Sequence, residues 1–188
     1  MKIQANNIRP GNVIEHDGKQ WSVLKIQLIQ PGKGGAFIQV EMRDVASGVK
    51  TNERWRTQDT VEKLSVDSRE YSYLYAEGDM LTFMDAETYE QIPLPKEMLG
   101  AAAAFLQENM HVAMDLIEGK PVAVHLPQTV VLAVTEADPV VRGQTAASSY
   151  KPAMLANGVR TMVPPFIEAG TRIVVNTEDG SYVERAKS

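Results

Sequence analysis

The stretch "IQPGKGGAFIQV", residues 29–40, places a glycine-rich turn between two runs of β-prone residues. Apolar and polar residues alternate on both sides of the turn, which predicts two antiparallel strands. Pro31 fixes its own φ near about −65° and stiffens the entry to the turn. Three glycines leave the turn almost without side chains: Gly32, Gly34 and Gly35. Lys33 is therefore predicted at the tip of a hairpin, although a solvated loop lysine without any function has the same pattern.

The residues around this hairpin extend the β pattern over the first third of the chain. "GNVIEHDGKQWSVLKIQLIQ" contains Asp17-Gly18 between β-prone runs, and Asp-Gly is a strong signal for a two-residue hairpin turn. "FIQVEMRDVASGVKTNERWR" repeats the pattern across an Ala-Ser-Gly turn. We therefore predict a small antiparallel barrel over residues 1–65, in which the Lys33 turn joins two strands.

The middle third combines strands with a single helical segment. "EYSYLYAEGDMLTFMDAETYEQIPL" predicts three short strands separated by acidic turns. "PKEMLGAAAAFLQENM" follows and predicts a short helix that begins near Pro95. "HVAMDLIEGKPVAVHLP" then supplies two more strands around a Glu-Gly-Lys turn. Five strands with a helix after the third is the order of an OB-type barrel, which we predict for residues 66–127.

The last third, residues 128–188, reads as a second small barrel. Its β-rich runs are separated by turns at Asn157-Gly158, Ala169-Gly170 and Asp179-Gly180, and no helical period is present. The expected fold class is therefore all-β and multi-domain, with three barrel domains and one short helix in the middle domain.

The distribution of charge differs between the three segments. The net charge is −5, but residues 1–65 hold ten Lys and Arg against seven Asp and Glu, which gives +3. Residues 66–127 hold three against eleven, or −8, and residues 128–188 hold six of each. The basic first third, which contains Lys33, suits contact with phosphates, whereas the acidic middle does not.

Composition indicates the cellular compartment. The chain has no cysteine, which is compatible with a reducing environment. No hydrophobic run approaches the length of a membrane span, and "MKIQANNIRPG" lacks the apolar core of a signal peptide. We therefore expect a cytoplasmic protein without a membrane partner.

A search for catalytic and metal-binding motifs finds none. The three histidines, His16, His111 and His125, are too scattered for a histidine metal motif, and no HExxH, GxSxG or Walker sequence is present. "PGKGG" lacks the spacing of a phosphate-binding loop and joins two strands rather than a strand and a helix. We therefore predict no catalytic residue, no metal site and no cofactor, and we expect that the chain is not an enzyme.

Several stretches together resemble one protein family. They are "NNIRPGNVIEHDG", "PGKGGAF", "EYSYLYAEGD", "KPAMLANGVRTMVPPFIEAG" and "NTEDGSYVER". In this order, over nearly the whole chain, they are similar to the bacterial translation elongation factor P family. The resemblance implies an N-terminal SH3-like, KOW-type barrel followed by two OB-type barrels, arranged in an elongated shape like that of a tRNA. We expect a monomer.

The resemblance also implies a function on the ribosome. The family binds both subunits between the peptidyl-tRNA site and the exit site, and it promotes peptide-bond formation at consecutive prolines. Lys33 takes the position that points toward the CCA end of the peptidyl-tRNA, presented by Pro31, Gly32, Gly34 and Gly35. A cation there holds the tRNA end in place without bond chemistry of its own.

Modification of Lys33 is a further expectation from the resemblance. Many family members carry β-lysine on this residue, which requires a lysine-modifying enzyme as a partner. Gly35 stands where lysylated loops more often have glutamine. A bare lysine and a different extension therefore both stay open.

The resemblance places the C-terminal hairpin at the exit site of the small subunit. There Gly180, Tyr182 and Arg185 are expected to contact the ribosome and exit-site mRNA, by stacking and by charge. Thr171 departs from the acidic residue usual in the family. Three tyrosines also alternate along one predicted strand, and the pattern alone leaves open whether they are buried or face RNA: Tyr71, Tyr73 and Tyr75.

A second class of function fits the same barrels. SH3-like and OB domains occur in many unrelated RNA-binding proteins, so the alternative is a general RNA-binding protein or RNA chaperone. Such a protein binds free RNA with a steep dependence on salt. The charge of −8 in the middle third favours the ribosome-bound factor instead.

Overall fold

A computed structural model describes residues 1–139 and 149–187 of the chain. It contains three antiparallel sheets, of six, five and five strands. The all-β, multi-domain fold class expected from the sequence is confirmed, whereas the predicted domain boundaries at residues 65 and 127 stay predictions. Within the described residues, no helix has the length and apolar character needed to cross a bilayer.

The first sheet contains the Lys33 hairpin. Its strands are β1 (Lys2–Gln4), β2 (Val13–His16), β3 (Lys19–Ile29), β4 (Phe37–Asp44), β5 (Lys50–Arg56) and β6 (Thr60–Leu64). They lie in the order β1-β6-β2-β3-β4-β5, and a 3₁₀ turn at Ala5–Asn7 follows β1. Every second residue of β4 is buried, because successive side chains of a strand point to opposite faces. Ile38, Val40 and Met42 thereby form the centre of the core.

The first sheet curls so that strands distant in its order meet. His16 is on β2 and Trp55 is on β5, three strands away, yet their rings lie 5.2 Å apart in an edge-to-face contact. The Trp21 indole N–H also donates a hydrogen bond to the His16 carbonyl at 3.0 Å. The predicted antiparallel barrel is therefore present as a curled sheet around one core.

The second sheet has the five strands expected of an OB-type domain. They are β7 (Asp67–Glu77), β8 (Met80–Asp85), β9 (Gln91–Pro95), β10 (His111–Ile117) and β11 (Lys120–His125), in the order β11-β10-β7-β8-β9. Leu81, Phe83 and Met114 are almost fully buried at its centre. Burial of each such side chain stabilises the fold by about 1.5–3 kcal/mol relative to full exposure.

The helical segment is shorter than the alanine-rich sequence predicts. It consists of two 3₁₀ helices, Lys96–Met98 and Gly100–Phe105, directly after Pro95 at the end of β9. Gly100 has a φ of +59°, which lies outside the helical region and interrupts the segment between the two turns. The run of alanines therefore continues as a tight turn rather than an α-helix.

The third sheet contains the C-terminal hairpin. Its strands are β12 (Thr129–Ala137), β13 (Lys151–Leu155), β14 (Arg160–Val163), β15 (Arg172–Asn176) and β16 (Tyr182–Arg185), in the order β14-β13-β12-β15-β16. The part of the predicted β-rich run at residues 140–143 lies outside the described residues.

The chain divides into two compact units. The first is Met1–Gly100 with Glu108–His125, and the second is Ala101–Gln107 with Leu126–Ser188. The segment 101–107 belongs to the second unit because it packs on the third sheet. There the Asn157 side-chain amide donates a hydrogen bond to the Ala104 carbonyl at 2.9 Å, and the Gln107 amide donates one to the Val131 carbonyl at 2.9 Å.

Two buried carboxylates hold the turns that follow β4 and β8. Asp85 accepts hydrogen bonds from the backbone N–H groups of Glu87 at 2.8 Å and Thr88 at 3.3 Å. Its carboxylate also forms an ion pair with the Arg69 guanidinium at 2.7 Å. The bond from Glu87 is the largest cause that keeps the pKa of Asp85 below its usual value. These interactions outweigh the loss of hydration, which by itself raises a carboxyl pKa.

Asp44 holds the turn after β4 in the same way. Burial by itself raises the pKa of Asp44. Hydrogen bonds from the Ser47 hydroxyl at 2.8 Å and from the Ala46 N–H at 3.0 Å lower this pKa and outweigh the effect of burial. The net pKa of Asp44 is therefore lowered. Both carboxylates are charged in the folded chain at neutral pH, and both favour the folded state in that form.

We expect Asp85→Asn to lower the free energy of unfolding at neutral pH. In acid, we expect the variant and the parent chain to be about equally stable. A carboxyl group whose pKa is lowered on folding stabilises the fold above its unfolded pKa of about 3.9. The contribution disappears as the pH falls through the lower folded pKa. Urea unfolding at pH 7, 4 and 2 measures the difference from the parent chain, and the exposed Glu87→Gln variant is the control. A difference that is constant across this range contradicts the assignment.

Candidate nucleic-acid interface

The Lys33 loop, residues 30–36, projects from the end of the β3–β4 hairpin. The last paired residues before it are Ile29 and Phe37, which face each other across the two strands. Pro31, Gly32, Lys33, Gly34 and Gly35 are all exposed, as the sequence predicts. The turn is reached by two long strands, so a stable ladder of backbone hydrogen bonds supports an open tip.

The Lys33 side chain is exposed. Within residues 1–139 and 149–187, no hydrogen bond or ion pair to its ammonium group is found. A Cβ at any of the three glycines of the loop would meet no heavy atom within 4 Å. The ammonium group is thus available to a partner, and the loop around it is narrow because it has almost no side chains.

The base of the hairpin adds two arginines that the sequence analysis did not identify. The Arg54 guanidinium lies over the Phe37 ring, with 4.5 Å between Cζ and the ring centroid. Arg56 faces Phe37 across β4 and β5. The sequence does contain a signal for this pair. Arg54 and Arg56 flank Trp55, and residues two apart on a strand share one face, so the two arginines are expected side by side. Phe37 and the two arginines therefore form a cationic and aromatic surface at the base of the Lys33 hairpin.

In the C-terminal hairpin, two of the three predicted RNA-contact residues, Tyr182 and Arg185, lie beside exposed aromatic rings. Tyr182 and Tyr150 lie edge to face, with 6.3 Å between ring centroids. The Arg185 guanidinium lies 5.3 Å from the centroid of Phe166, whose side chain is about half exposed. Burial raises the pKa of Tyr182, so its hydroxyl stays protonated at neutral pH. Phe166 and Tyr150 were missed because they lie outside the "EDGSYVER" segment.

Gly180 has a packing role in the structure. It is buried, and a Cβ there would lie 3.2 Å from Phe105 Cζ and 3.3 Å from Val159 Cγ1. The close approach of these side chains accounts for glycine at this position. A contact between Gly180 and RNA stays a prediction.

The three tyrosines of β7 do not share one environment. Tyr71 and Tyr73 are buried, and burial raises the pKa of each. Tyr75 is exposed, because the register with β8 shifts between Tyr73 and Tyr75. Such a β-bulge adds a residue to one strand and turns the following side chains. Simple alternation therefore fails at this point, and two of the tyrosines belong to the core.

Each histidine lies beside a carboxylate. His111 Nδ1 lies 2.7 Å from Glu70, and His125 Nε2 lies 2.7 Å from Asp115. His16 Nε2 lies 3.2 Å from Asp17 and 3.6 Å from Glu53. The curl of the first sheet thus brings Glu53 of β5 to His16 and Asp17, which are adjacent in sequence at the β2–β3 turn.

Comparison with known proteins gives the same domain types in the same order. The family model of the elongation factor P KOW-like domain matches residues 4–61, and that of the elongation factor P OB domain matches residues 66–124. The model of the elongation factor P C-terminal domain matches residues 130–185. Together the three matches extend over nearly all of the chain.

Individual relatives are similar over their full length. The chain is 68% identical over 187 residues to elongation factor P of Acidiphilium cryptum, and 66% identical over 187 residues to that of Gluconobacter oxydans. Both alignments cover 100% of each chain. Among solved structures, eukaryotic translation initiation factor 5A from Methanococcus jannaschii is similar at a TM-score of 0.47 and 25% identity, over 68% of this chain and 94% of that one.

We expect Lys33→Ala to leave the stability of the first sheet almost unchanged. Its side chain is exposed, and surface substitutions usually change the free energy of unfolding by less than about 0.5 kcal/mol. Arg54→Ala is the comparison, since loss of the contact with Phe37 costs about 0.5–1 kcal/mol. Urea unfolding followed by the fluorescence of Trp21 and Trp55 reports on this sheet. A larger loss for Lys33→Ala than for Arg54→Ala would show that Lys33 is structural.

Proposed function

The chain belongs to the elongation factor P family, and we propose that it relieves ribosomes stalled at consecutive prolines by placing Lys33 beside the CCA end of the peptidyl-tRNA. Proteins of this family are translation elongation factors rather than enzymes. The chain therefore acts through contacts with the ribosome and tRNA. In the proposal it lies between the peptidyl-tRNA site and the exit site, touches both subunits, and works in the cytoplasm as a monomer.

One observation carries this proposal: the chain presents a lysine at the exposed tip of a narrow, glycine-flanked hairpin. A flexible ammonium group suits a phosphate partner because it makes a compact charge contact from many directions. The absence of bulky side chains in the loop suits a crowded RNA channel. The core of the first sheet anchors the two strands behind it, so the loop is presented from a fixed base.

The proposed mechanism is positioning and not bond chemistry. The pyrrolidine ring fixes the φ of proline, so consecutive prolines offer few productive geometries for the reacting groups. Contact of Lys33 with the tRNA backbone restricts the motion of the CCA end. Holding two reactants in a productive geometry lowers the entropic part of the barrier. Lys33 is then a positioning residue, which explains why it needs no neighbouring base.

The distribution of charge supports RNA contact through the first domain. Arg54 and Arg56 add positive charge along the base of the Lys33 hairpin, within the segment whose net charge is +3. The −8 of residues 66–127 repels phosphate, so the middle domain is unsuited to a broad RNA contact. A chain with this distribution recognises a specific arrangement of RNA rather than RNA in general.

The C-terminal hairpin supplies the second proposed contact. Tyr182 and Arg185 face the exit site of the small subunit in this proposal, where they meet exit-site mRNA or ribosomal RNA. The exposed rings beside them support it, since aromatic faces and guanidinium planes stack on unpaired bases.

Modification of Lys33 is part of the proposal. An enzyme that transfers an activated β-lysine acyl group to Nζ forms an amide bond there and displaces the activating group. The exposure of Lys33 gives such an enzyme access to Nζ. The product is longer and keeps a positive charge at its end, so its reach toward the CCA end increases while the charge contact is retained.

We expect Lys33→Ala to abolish most of the relief at three consecutive prolines, because it removes the cation that holds the tRNA end. The measurement is the rate of synthesis in a reconstituted translation system without the resident factor, on matched messages with and without the prolines. Lys25→Ala is the control, since it removes another exposed lysine, from β3 of the same sheet. Equal slowing of both messages when the parent chain is omitted would contradict the proposal.

Lys33→Arg separates a bare lysine from an extended one. Arginine keeps the charge but has no ε-amine to accept an acyl group. If Lys33 acts as a bare cation, the variant keeps most of the relief of stalling at prolines. If Lys33 acts through an added acyl group, the variant loses nearly all of this relief. The intact mass of the protein from its own host provides the independent measurement of an adduct.

We expect the double variant Tyr182→Ala and Arg185→Ala to lower ribosome occupancy while the third sheet stays folded. The half-exposed tyrosine and exposed arginine contribute little to the core, but they provide the proposed stacking and charge. Co-sedimentation with tRNA-loaded ribosomes measures occupancy, and Lys120→Ala removes a positive charge elsewhere as a control. Loss of the thermal transition of this sheet would instead assign the two residues a structural role.

A further inference from the structure

Arg43 joins the first sheet to the second. It is the next-to-last residue of β4 and is half-buried. Its Nη1 donates a hydrogen bond to the Met98 carbonyl at 3.2 Å, across 55 positions of sequence. Its Nε is buried and has no hydrogen-bond partner among the described residues. Both sheets belong to the same compact unit, so this contact is internal to it.

A glycine makes room for the guanidinium. A Cβ at Gly100 would lie 2.7 Å from Arg43 Cζ and 2.9 Å from Nη1, well inside van der Waals contact. Any side chain at position 100 therefore displaces the end of Arg43. The φ of +59° at Gly100 adds a second requirement for glycine.

A second glycine brings the turn after β4 against the same segment. A Cβ at Gly48 would lie 2.8 Å from the Glu97 carbonyl oxygen and 2.9 Å from Glu97 Cβ. Because a backbone atom is involved, a side chain at this position would push the turn and the segment apart. Asp44 holds the turn in shape through its bonds to Ala46 and Ser47.

The segment at residues 96–100 is itself fixed to the second sheet. It continues directly from β9, and the Lys96 N–H donates a hydrogen bond to the Asp79 carbonyl at 2.9 Å. Leu99 is 4% exposed and belongs to the buried core. Contacts made by Arg43 and Gly48 therefore attach the first sheet to the second sheet and not to a free loop.

The Lys33 loop lies at the other end of the same strand, directly before Phe37. From Arg43 to Phe37, β4 spans six residue steps, or about 20 Å at about 3.3 Å per step. A rotation of the first sheet by about 10° around Arg43 moves the far end of such a strand by about 3.5 Å. A misplacement of about 1 Å in a positioned reaction can lower its rate by about a hundredfold.

We propose that Arg43, packed against Gly100 and bonded to the Met98 carbonyl, fixes the orientation of the first sheet relative to the second and so positions Lys33. Gly48 completes this contact between the two sheets. The inference rests on the proposed function of Lys33, and it adds Arg43 as a positioning residue at the opposite end of β4.

The chemistry of the contact favours orientation over stability. The guanidinium is half-buried, its Nε has no hydrogen-bond partner among the described residues, and the loss of hydration lowers the pKa of Arg43. A buried charge with incomplete hydrogen bonding contributes little net stability. A planar group confined between a glycine and a carbonyl does, however, fix direction, because its hydrogen bonds require one plane.

The test uses the full chain with variants at both sides of the contact. Arg43→Ala removes the guanidinium, and Gly100→Ala displaces it. Gly78→Ala is the matched control, since Gly78 has a φ of +60° but open space around it. It reproduces the backbone strain without a clash. Arg43→Met keeps the length of the side chain and replaces Arg43→Ala if that variant does not fold.

Residual dipolar couplings measure the orientation of the two sheets directly. In the parent and in Gly78→Ala, one alignment tensor is expected to fit both sheets. In Arg43→Ala and Gly100→Ala, each sheet keeps its own fold but the two tensors differ. A single shared tensor in both variants overturns the proposal.

Translation assays then connect orientation to positioning. We expect relief at three consecutive prolines to fall by about tenfold or more in Arg43→Ala and Gly100→Ala, while ribosome occupancy stays close to that of the parent. Gly100→Ala should add no more loss to Arg43→Ala than Gly78→Ala adds, because the clash exists only when the guanidinium is present and Gly78→Ala matches the backbone strain. Additive losses, or relief equal to that of the parent, overturn the proposal.

Lys33→Ala in the same assay separates this inference from the proposed function. If Lys33→Ala retains full relief, the proposed function itself fails. If Lys33→Ala loses relief and the Arg43 variants retain it, only the role of Arg43 fails.

Discussion

The two-residue period of β4 is the constraint on which the other features depend. Its inner face buries Ile38, Val40 and Met42, which fixes the register of the strand against β3 and β5. A slip of one residue would move this whole set to the surface, so the register is strongly specified. The outer face is then fixed as well, with Phe37 beside the Lys33 loop at one end and Arg43 at the other. Core packing thus determines where the two ends of the proposed positioning device lie.

The proposed contact residues contribute little to the stability of the fold, and this follows from their exposure. Lys33 and Arg185 are presented to solvent, where a side chain keeps its hydration and gives up little free energy until a partner arrives. The structure around them is rigid for separate reasons, because strands and cores fix the backbone on both sides. A positioning factor needs this combination: its contact groups must be available, whereas the frame that carries them must not move.

The acidic middle domain has a structural use for part of its charge. Asp85 is buried and holds the turn after β8 through two backbone N–H groups and Arg69. Because these partners favour the charged carboxylate, the charge stabilises the fold at neutral pH. The remaining acidic groups lower affinity for phosphate over this domain. In the proposed function, RNA contact is confined to the basic first third and to the C-terminal hairpin, which suits a factor that recognises one arrangement of RNA.

The sequence by itself determined the features that depend on local pattern. Alternation and turn residues predicted the three β domains and the exposed Lys33 hairpin, and the motif order identified the family. Tertiary structure decided the rest. A bulge turns Tyr75 outward while Tyr71 and Tyr73 are buried, and Gly100 converts an alanine-rich stretch into two 3₁₀ turns. Arg43 meets Met98 across 55 positions. Local patterns report which face a residue occupies, but they hold no information on which distant backbone atom or ring will meet that face when the sheets curl and pack.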